Sequence, residues 1–75
     1  MSGPPAKRSL TLKGHRTSVS LEDEFWNAFR DISKKKKIPI NVLASEIDVN
    51  RDPRTGLASA IRVYVLNWYR THSKG

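Results

Sequence analysis

Apolar and polar residues alternate along two short stretches near the start of the chain, then fall into a helical rhythm. In residues 7–12 (KRSLTL), Leu10 and Leu12 lie on one side, Ser9 and Thr11 on the other. In residues 16–21 (RTSVSL), Thr17, Val19 and Leu21 share one face and Arg16, Ser18 and Ser20 the other. That is the period of two expected of strands. Lys13-Gly14-His15 between them is a turn candidate, because Gly14 tolerates positive φ. A six-residue strand cannot stand alone, so residues 16–21 require a partner.

The period changes at Leu21. Leu21, Phe25, Ala28, Phe29 and Ile32 form one helical stripe, which predicts a helix over about 22–35. Ser20 with Asp23 three residues later approximates a capping box. Glu22, Asp23 and Glu24 suit the positive end of the helix dipole, and Lys34 to Lys37 its negative end. A second helix is predicted over about 39–49, with Pro39 in its first turn and Ile40, Leu43, Ala44 and Ile47 as its stripe. "NRDP" at 50–53 ends it. A third helix is predicted over about 57–70, with Thr55 as a candidate cap. Leu57, Ala60, Ile61, Tyr64, Val65 and Trp68 match the helical template, which outweighs the strand reading of the β-branched "AIRVYVL". Val63, Leu66 and Tyr69 give this helix a second apolar flank. A helix apolar on most sides is buried on most sides, so it is read as the centre of a dimer core.

The totals point the same way. A chain of 75 residues is one domain and marginal as a monomer. Small domains usually need a disulfide, a metal or a partner chain. There are no cysteines, and His15 and His72 lack ligand spacing, which leaves oligomerisation and no metal or cofactor. No apolar run approaches the ~20 residues that span a bilayer. The opening "MSGPPAKRS" reads as a flexible tail over 1–6 with no export signal. A cytoplasmic protein without a membrane partner is expected. Fourteen Lys and Arg against seven Asp and Glu give a net charge of +7 and a pI of about 10.3, the electrostatic footprint of a nucleic-acid binder.

A strand running straight into a helix, then a further helix, on a small basic chain resembles the ribbon-helix-helix family of bacterial DNA-binding proteins. The resemblance rests on "RTSVSLEDEFWNAF" (16–29), "KKIPINVLASEI" (36–47) and "LASAIRVYVLNWYR" (57–70), and is nearest to small stand-alone members that begin "KRSLTLKGHRTS". It implies a mostly α fold with a short N-terminal β-ribbon, an intertwined homodimer, and here an additional C-terminal helix, all within residues 7–72. The strand at 16–21 would pair antiparallel with the same strand of a second copy and enter the major groove. The helices would form the dimer core, with Val19, Leu21, Phe25, Phe29, Leu43, Ile47, Ile61, Tyr64, Val65 and Trp68 as its members. Two departures stand out. "DVNRDPRTG" (48–56) interrupts what is usually one long helix, and Lys37 stands where many members have glycine.

Within that frame Arg16, Ser18 and Ser20 are the candidate base-contacting residues, since Arg can bond guanine O6 and N7 together. The alternative is that the two serines are only the strand's polar outer face. Candidate phosphate contacts are Lys7, Arg8, Lys13 and His15, with Ile40 and Asn41 at the start of the second helix, where backbone N–H groups attract anions. The lysines at 34–37 either reach phosphates or merely complement the helix dipole. Trp26, Trp68, Tyr64 and Tyr69 fit core positions better than stacking platforms. If residues 7–12 fold back on 16–21, a dimer's ribbon has four strands. These span roughly 14 Å at ~4.8 Å spacing, too wide for a groove of ~12 Å, so insertion would require the 7–12 arm to peel away.

The expected function is sequence-specific binding of double-stranded DNA by a homodimer, as a transcriptional regulator. The alternatives are a protein-interaction or antitoxin-like module with an acidic partner, or a sensor of a small anionic ligand. Only five residues follow Arg70, short of the long extension that many antitoxins of this fold wrap round a toxin. An enzyme is not expected, because no nucleophile, base or paired histidine is placed for catalysis.

Overall fold

The structure, a computed structural model, describes residues 3–72. Of the tail expected over 1–6, residues 1–2 lie outside the described residues and Ala6 already belongs to a strand. Two strands, β1 (Ala6–Leu12) and β2 (His15–Leu21), lead into three helices, α1 (Asp23–Lys36), α2 (Ile40–Asn50) and α3 (Leu57–His72).

The strand at 16–21 finds its partner within its own chain. β1 and β2 pair antiparallel from Ala6 opposite Leu21 to Leu12 opposite His15. One edge of this strand is therefore filled by its own chain. The two-residue loop sets both backbone angles positive, with φ 51° at Lys13 and 83° at Gly14. A loop of two positive-φ residues matches the right-handed twist of the strands it joins. Gly14 meets that need without strain, whereas Lys13 holds a conformation that costs an L-residue about 1–2 kcal/mol.

Register then sorts the side chains. Leu10, Leu12, Val19 and Leu21 are buried on one face. Lys7, Ser9, Thr11, Arg16, Ser18 and Ser20 are exposed on the other. β1 lies against α2, and β2 against α1 and α3. The inner face joins Phe29 and Ile32 of α1, Leu43, Ala44 and Ile47 of α2, and Ile61 and Val65 of α3 in one core. Burial of a Leu, Ile or Phe side chain contributes roughly 1.5–3 kcal/mol. Phe25, Trp26, Tyr64 and Trp68 are half-buried around that core. Every residue expected in a dimer core thus packs within one chain.

The helix limits follow from local chemistry. α1 begins at Asp23, and Glu22 precedes it without a side-chain capping bond. The capping box expected from Ser20 does not form, because Ser20 is still in the strand. At its other end Lys37 is left-handed, φ 59°. The Lys37 N–H bonds Lys34 O and the Ile38 N–H bonds Ser33 O, a paired closure normally completed by glycine. Pro39 sits one residue before α2, and its carbonyl accepts the N–H groups of Val42 and Leu43. Thr55 does not cap α3. The Gly56 carbonyl takes the N–H of Ala60, while Thr55 O accepts Arg51 Nη1 at 2.7 Å.

α3 is helical through "AIRVYVL", as its spacing predicts. Within one chain its second apolar flank is open: Val63 is 55% exposed and Leu66 54%. With one stripe facing the core, the opposite side of a 3.6-residue helix has nothing above it in a single chain.

Candidate nucleic-acid interface

The outer face of the hairpin is made only of hydrogen-bonding side chains. Lys7 lies opposite Ser20, Ser9 opposite Ser18, and Thr11 opposite Arg16. Two cations and four hydroxyls are exposed there, and no carboxylate shares the face. A two-residue loop closes on a hydrogen-bonded pair, so these three pairs are the non-hydrogen-bonded ones. Such pairs bring opposing Cα atoms to roughly 4.5 Å and crowd their side chains. The face is therefore a dense polar strip two strands wide.

The same register turns the backbone groups of these residues toward the sheet edges, and two side chains meet them. At the β1 edge the Thr11 N–H donates to Asn41 Oδ1 at 3.0 Å. At the β2 edge Arg62 Nη2 donates to Ser20 O at 3.1 Å. Arg62 also bonds Glu22 Oε1 at 3.1 Å through Nε and lies 5.8 Å from the Phe25 ring. These contacts hold the Glu22 carboxyl below its ordinary range; a hydrogen bond from its own backbone N–H is the larger cause and Arg62 the next.

The predicted residues divide accordingly. Arg16, Ser18 and Ser20 stand together on the outer face. Lys7 joins them there rather than forming a separate arm. Arg8 does not: it shares the parity of Leu10 and Leu12 and points inward. Its Nη2 donates to Leu21 O at 3.2 Å and pairs with Asp23, and its guanidinium lies 5.6 Å from the Trp26 ring. With its side chain only 19% exposed, Arg8 ties strand to helix and is withdrawn from the phosphate set.

Lys13 and His15 are exposed at the hairpin tip. Lys13 lines a depression with Thr11, Asn41, Val42 and Glu46, which brings the tip beside the start of α2. Ile40 and Asn41 are the first two residues of that helix, where backbone N–H groups precede the intrahelical bonds. The Asn41 side chain has its oxygen committed to Thr11, so only its amide N–H groups remain to donate.

Two lysines of the 34–37 run, Lys35 and Lys36, are drawn onto α3. Lys36 Nζ bonds the Tyr64 hydroxyl at 3.2 Å and sits 5.8 Å from the Tyr64 ring and 5.9 Å from the Trp68 ring. Lys35 lies 5.9 Å from the Tyr69 ring. His72 stacks on Trp68 at 3.8 Å. Protein groups therefore already occupy these aromatic faces. Arg51 and Arg54 pair with Asp48 and Asp52 in the α2–α3 region; Asp48 and Arg51 line a depression with His15 and Thr17 of the ribbon.

Ser9 and Thr11 were missed as members of the face, although alternation puts them there once the hairpin register is known. Asn41 as an edge partner and Arg62 as a whole had no local signal: their contacts span thirty or more residues of chain. Among the described residues no group of His, Cys, Asp or Glu could hold a metal ion, and no helix is long and apolar enough to cross a membrane.

A family model described as a ribbon-helix-helix domain matches residues 5–69. No curated protein and no solved structure matches the chain. The match takes in the hairpin and nearly all of the three helices, and the chain belongs to the ribbon-helix-helix family. That is a non-enzymatic DNA-binding fold whose members in general are regulatory and generally bind DNA as dimers.

Proposed function

Taking the chain as a ribbon-helix-helix protein, we propose that it binds double-stranded DNA in a sequence-specific manner and acts as a transcriptional regulator. The outer face of the hairpin lies in the major groove. The observation that carries this reading is the composition of that face: Lys7, Ser9, Thr11, Arg16, Ser18 and Ser20, all exposed, with two cations and no acid. A base-reading surface needs donors and acceptors free of the core, and a two-stranded ribbon is a shape the major groove admits.

Roles divide by position. Arg16 reads a base edge, with Ser18 beside it and Ser20 a weaker contributor. Lys7, Lys13, His15 and the α2 N-terminus at Ile40 and Asn41 hold phosphates. The net charge of +7 supplies attraction at long range, screened over ~8 Å at physiological salt.

Selection of bound sequences from random DNA at two salt concentrations tests the reading. Affinity should fall steeply with salt while a sequence preference survives. Arg16→Ala should relax the preference by roughly 1–3 kcal/mol at one base pair. Lys13→Ala should weaken all sequences alike and reduce the salt slope by about 1. Equal binding of all sequences by the native chain would overturn the base-reading role. Stoichiometric recovery with an acidic protein, with no DNA retained at physiological salt, would favour an interaction module.

A further inference from the structure

We propose that a second copy of this chain docks on the open side of α3, with Val63 and Leu66 of each copy seated against the groove between α2 and α3 of the other. This rests on the ribbon-helix-helix reading above, whose members generally bind DNA as dimers, and gives the second copy its place.

The apolar surface comes first. Among the described residues five large apolar side chains are exposed, and three of them, Val63, Leu66 and Tyr69, recur at every third position of α3. That spacing makes them neighbours on one side of the helix. Single exposed apolar residues need no explanation, but a contiguous patch rimmed by polar groups marks an interaction site. Here Asn67 and Arg70, both exposed, supply the rim.

A groove lies beside this ridge. Leu43, Glu46 and Ile47 of α2 form one wall, and Ala60, Val63 and Tyr64 of α3 the other. Leu43 and Ile47 are buried members of the core, so the groove is apolar and held in place from beneath. Val63 belongs to both groove and ridge. A two-fold interface uses one patch on both copies, and that patch must complement itself. A ridge and a groove side by side on one surface meet this condition, which is why the occupant is a second copy.

Charge sets the direction. Glu46 stands on the α2 wall, and Arg70 ends the ridge one heptad beyond Val63. Among the described residues neither forms an ion pair. Two copies of α3 laid antiparallel, centred between Leu66 and Asn67, put Val63 of one across from Arg70 of the other. Glu46 lines the groove beside Val63, so each end of the seam brings a free acid to a free cation. A parallel pair would set Arg70 against its own copy. No residue of the hairpin lines this groove. The joined copies therefore leave the polar faces from Lys7 to Ser20 uncovered and present them twice, about a two-fold axis.

The mass of the full chain in solution tests this. Sedimentation at micromolar concentration should give twice the chain mass of 8.5 kDa; a monomer mass overturns the proposal. Val63→Glu and Leu66→Glu should each raise the dissociation constant of the dimer roughly 10- to 100-fold, with circular dichroism unchanged. Val49→Glu is the control. Val49 is 61% exposed but lies outside this groove, and its variant should stay dimeric. A dimer that survives both α3 variants, or that breaks equally with Val49→Glu, overturns the proposal. Where the α3 variants fail to fold, charge reversals at exposed positions decide. Glu46→Arg and Arg70→Glu should each weaken the dimer by up to about 5-fold, and the two together should restore it; additive loss overturns the proposal. Binding to a selected DNA site is read on the same samples. A native dimer that retains no DNA yet dissociates as stated upholds the interface and sinks the DNA-binding reading alone. A native monomer that shifts the DNA does the reverse.

Discussion

The two faces of the hairpin share a backbone and differ in everything else. The inner face carries Leu10, Leu12, Val19 and Leu21, with Leu21 wholly out of solvent. The outer face carries hydroxyls and two cations. Stability is concentrated on one side and chemistry on the other, and a single step along the strand crosses between them. Arg8 marks the rule by its exception: a cation on the inner face, it is held by Leu21 O, Asp23 and the Trp26 ring. Its neighbour Lys7, one residue away, faces out. Charge alone does not tell which of these two basic residues faces solvent; strand parity does.

The sharpest way to break that contrast is to truncate one side chain on each face. Leu21→Ala should cost about 2–5 kcal/mol in a urea titration, whereas Ser18→Ala should move stability by no more than about 0.5 kcal/mol. Comparable losses would mean that the faces are misassigned. A finer cut compares adjacent cations. Arg8→Ala should destabilise by roughly 1–2 kcal/mol through its lost hydrogen bonds and packing. Lys7→Ala should leave the melting curve in place and lower the salt slope of DNA binding by about 1.

Smaller effects probe the ends of elements rather than the faces. Lys37 closes α1 at φ 59°, where glycine carries no steric penalty. Lys37→Gly should therefore stabilise by up to about 1 kcal/mol, a rise of about 4–8 °C in melting temperature for a domain of this size. Acid titration should give the slightest change. Glu22 is held below its ordinary range by its own backbone N–H and by Arg62, and Asp52 by Arg54. Folding therefore favours the ionised carboxylates. Their contribution is complete above the unfolded pKa and is lost as pH falls through the lower folded value. Glu22→Gln should flatten the acid limb of the stability profile, measured by thermal melts across that range.

Much of the fold was legible in the residue pattern because its signals are local. The alternation at 7–12 and 16–21, the Gly14 turn and the three helical stripes each depend on neighbours within a few positions. The candidate face was half legible. Arg16, Ser18 and Ser20 follow from parity within one strand, but Ser9 and Thr11 join them only through the register of two. The cover of the helices was less legible, for a related reason. Apolar stripes show that a helix needs cover, not which chain provides it; here β2, α1 and α2 cover one side of α3. Arg62 was invisible because its partners, Ser20 and Glu22, lie forty or more positions away.

The two-residue tip at Lys13-Gly14 has a consequence for when the ribbon exists at all. A ribbon assembled from separate chains forms by collision, so its population depends on how much protein a cell holds. Strands tethered by two residues meet at an effective concentration in at least the mM range that applies to short linkers, and a hairpin closes in about 1–10 μs. The pairing of β1 with β2 is thus first order: dilution leaves it unchanged.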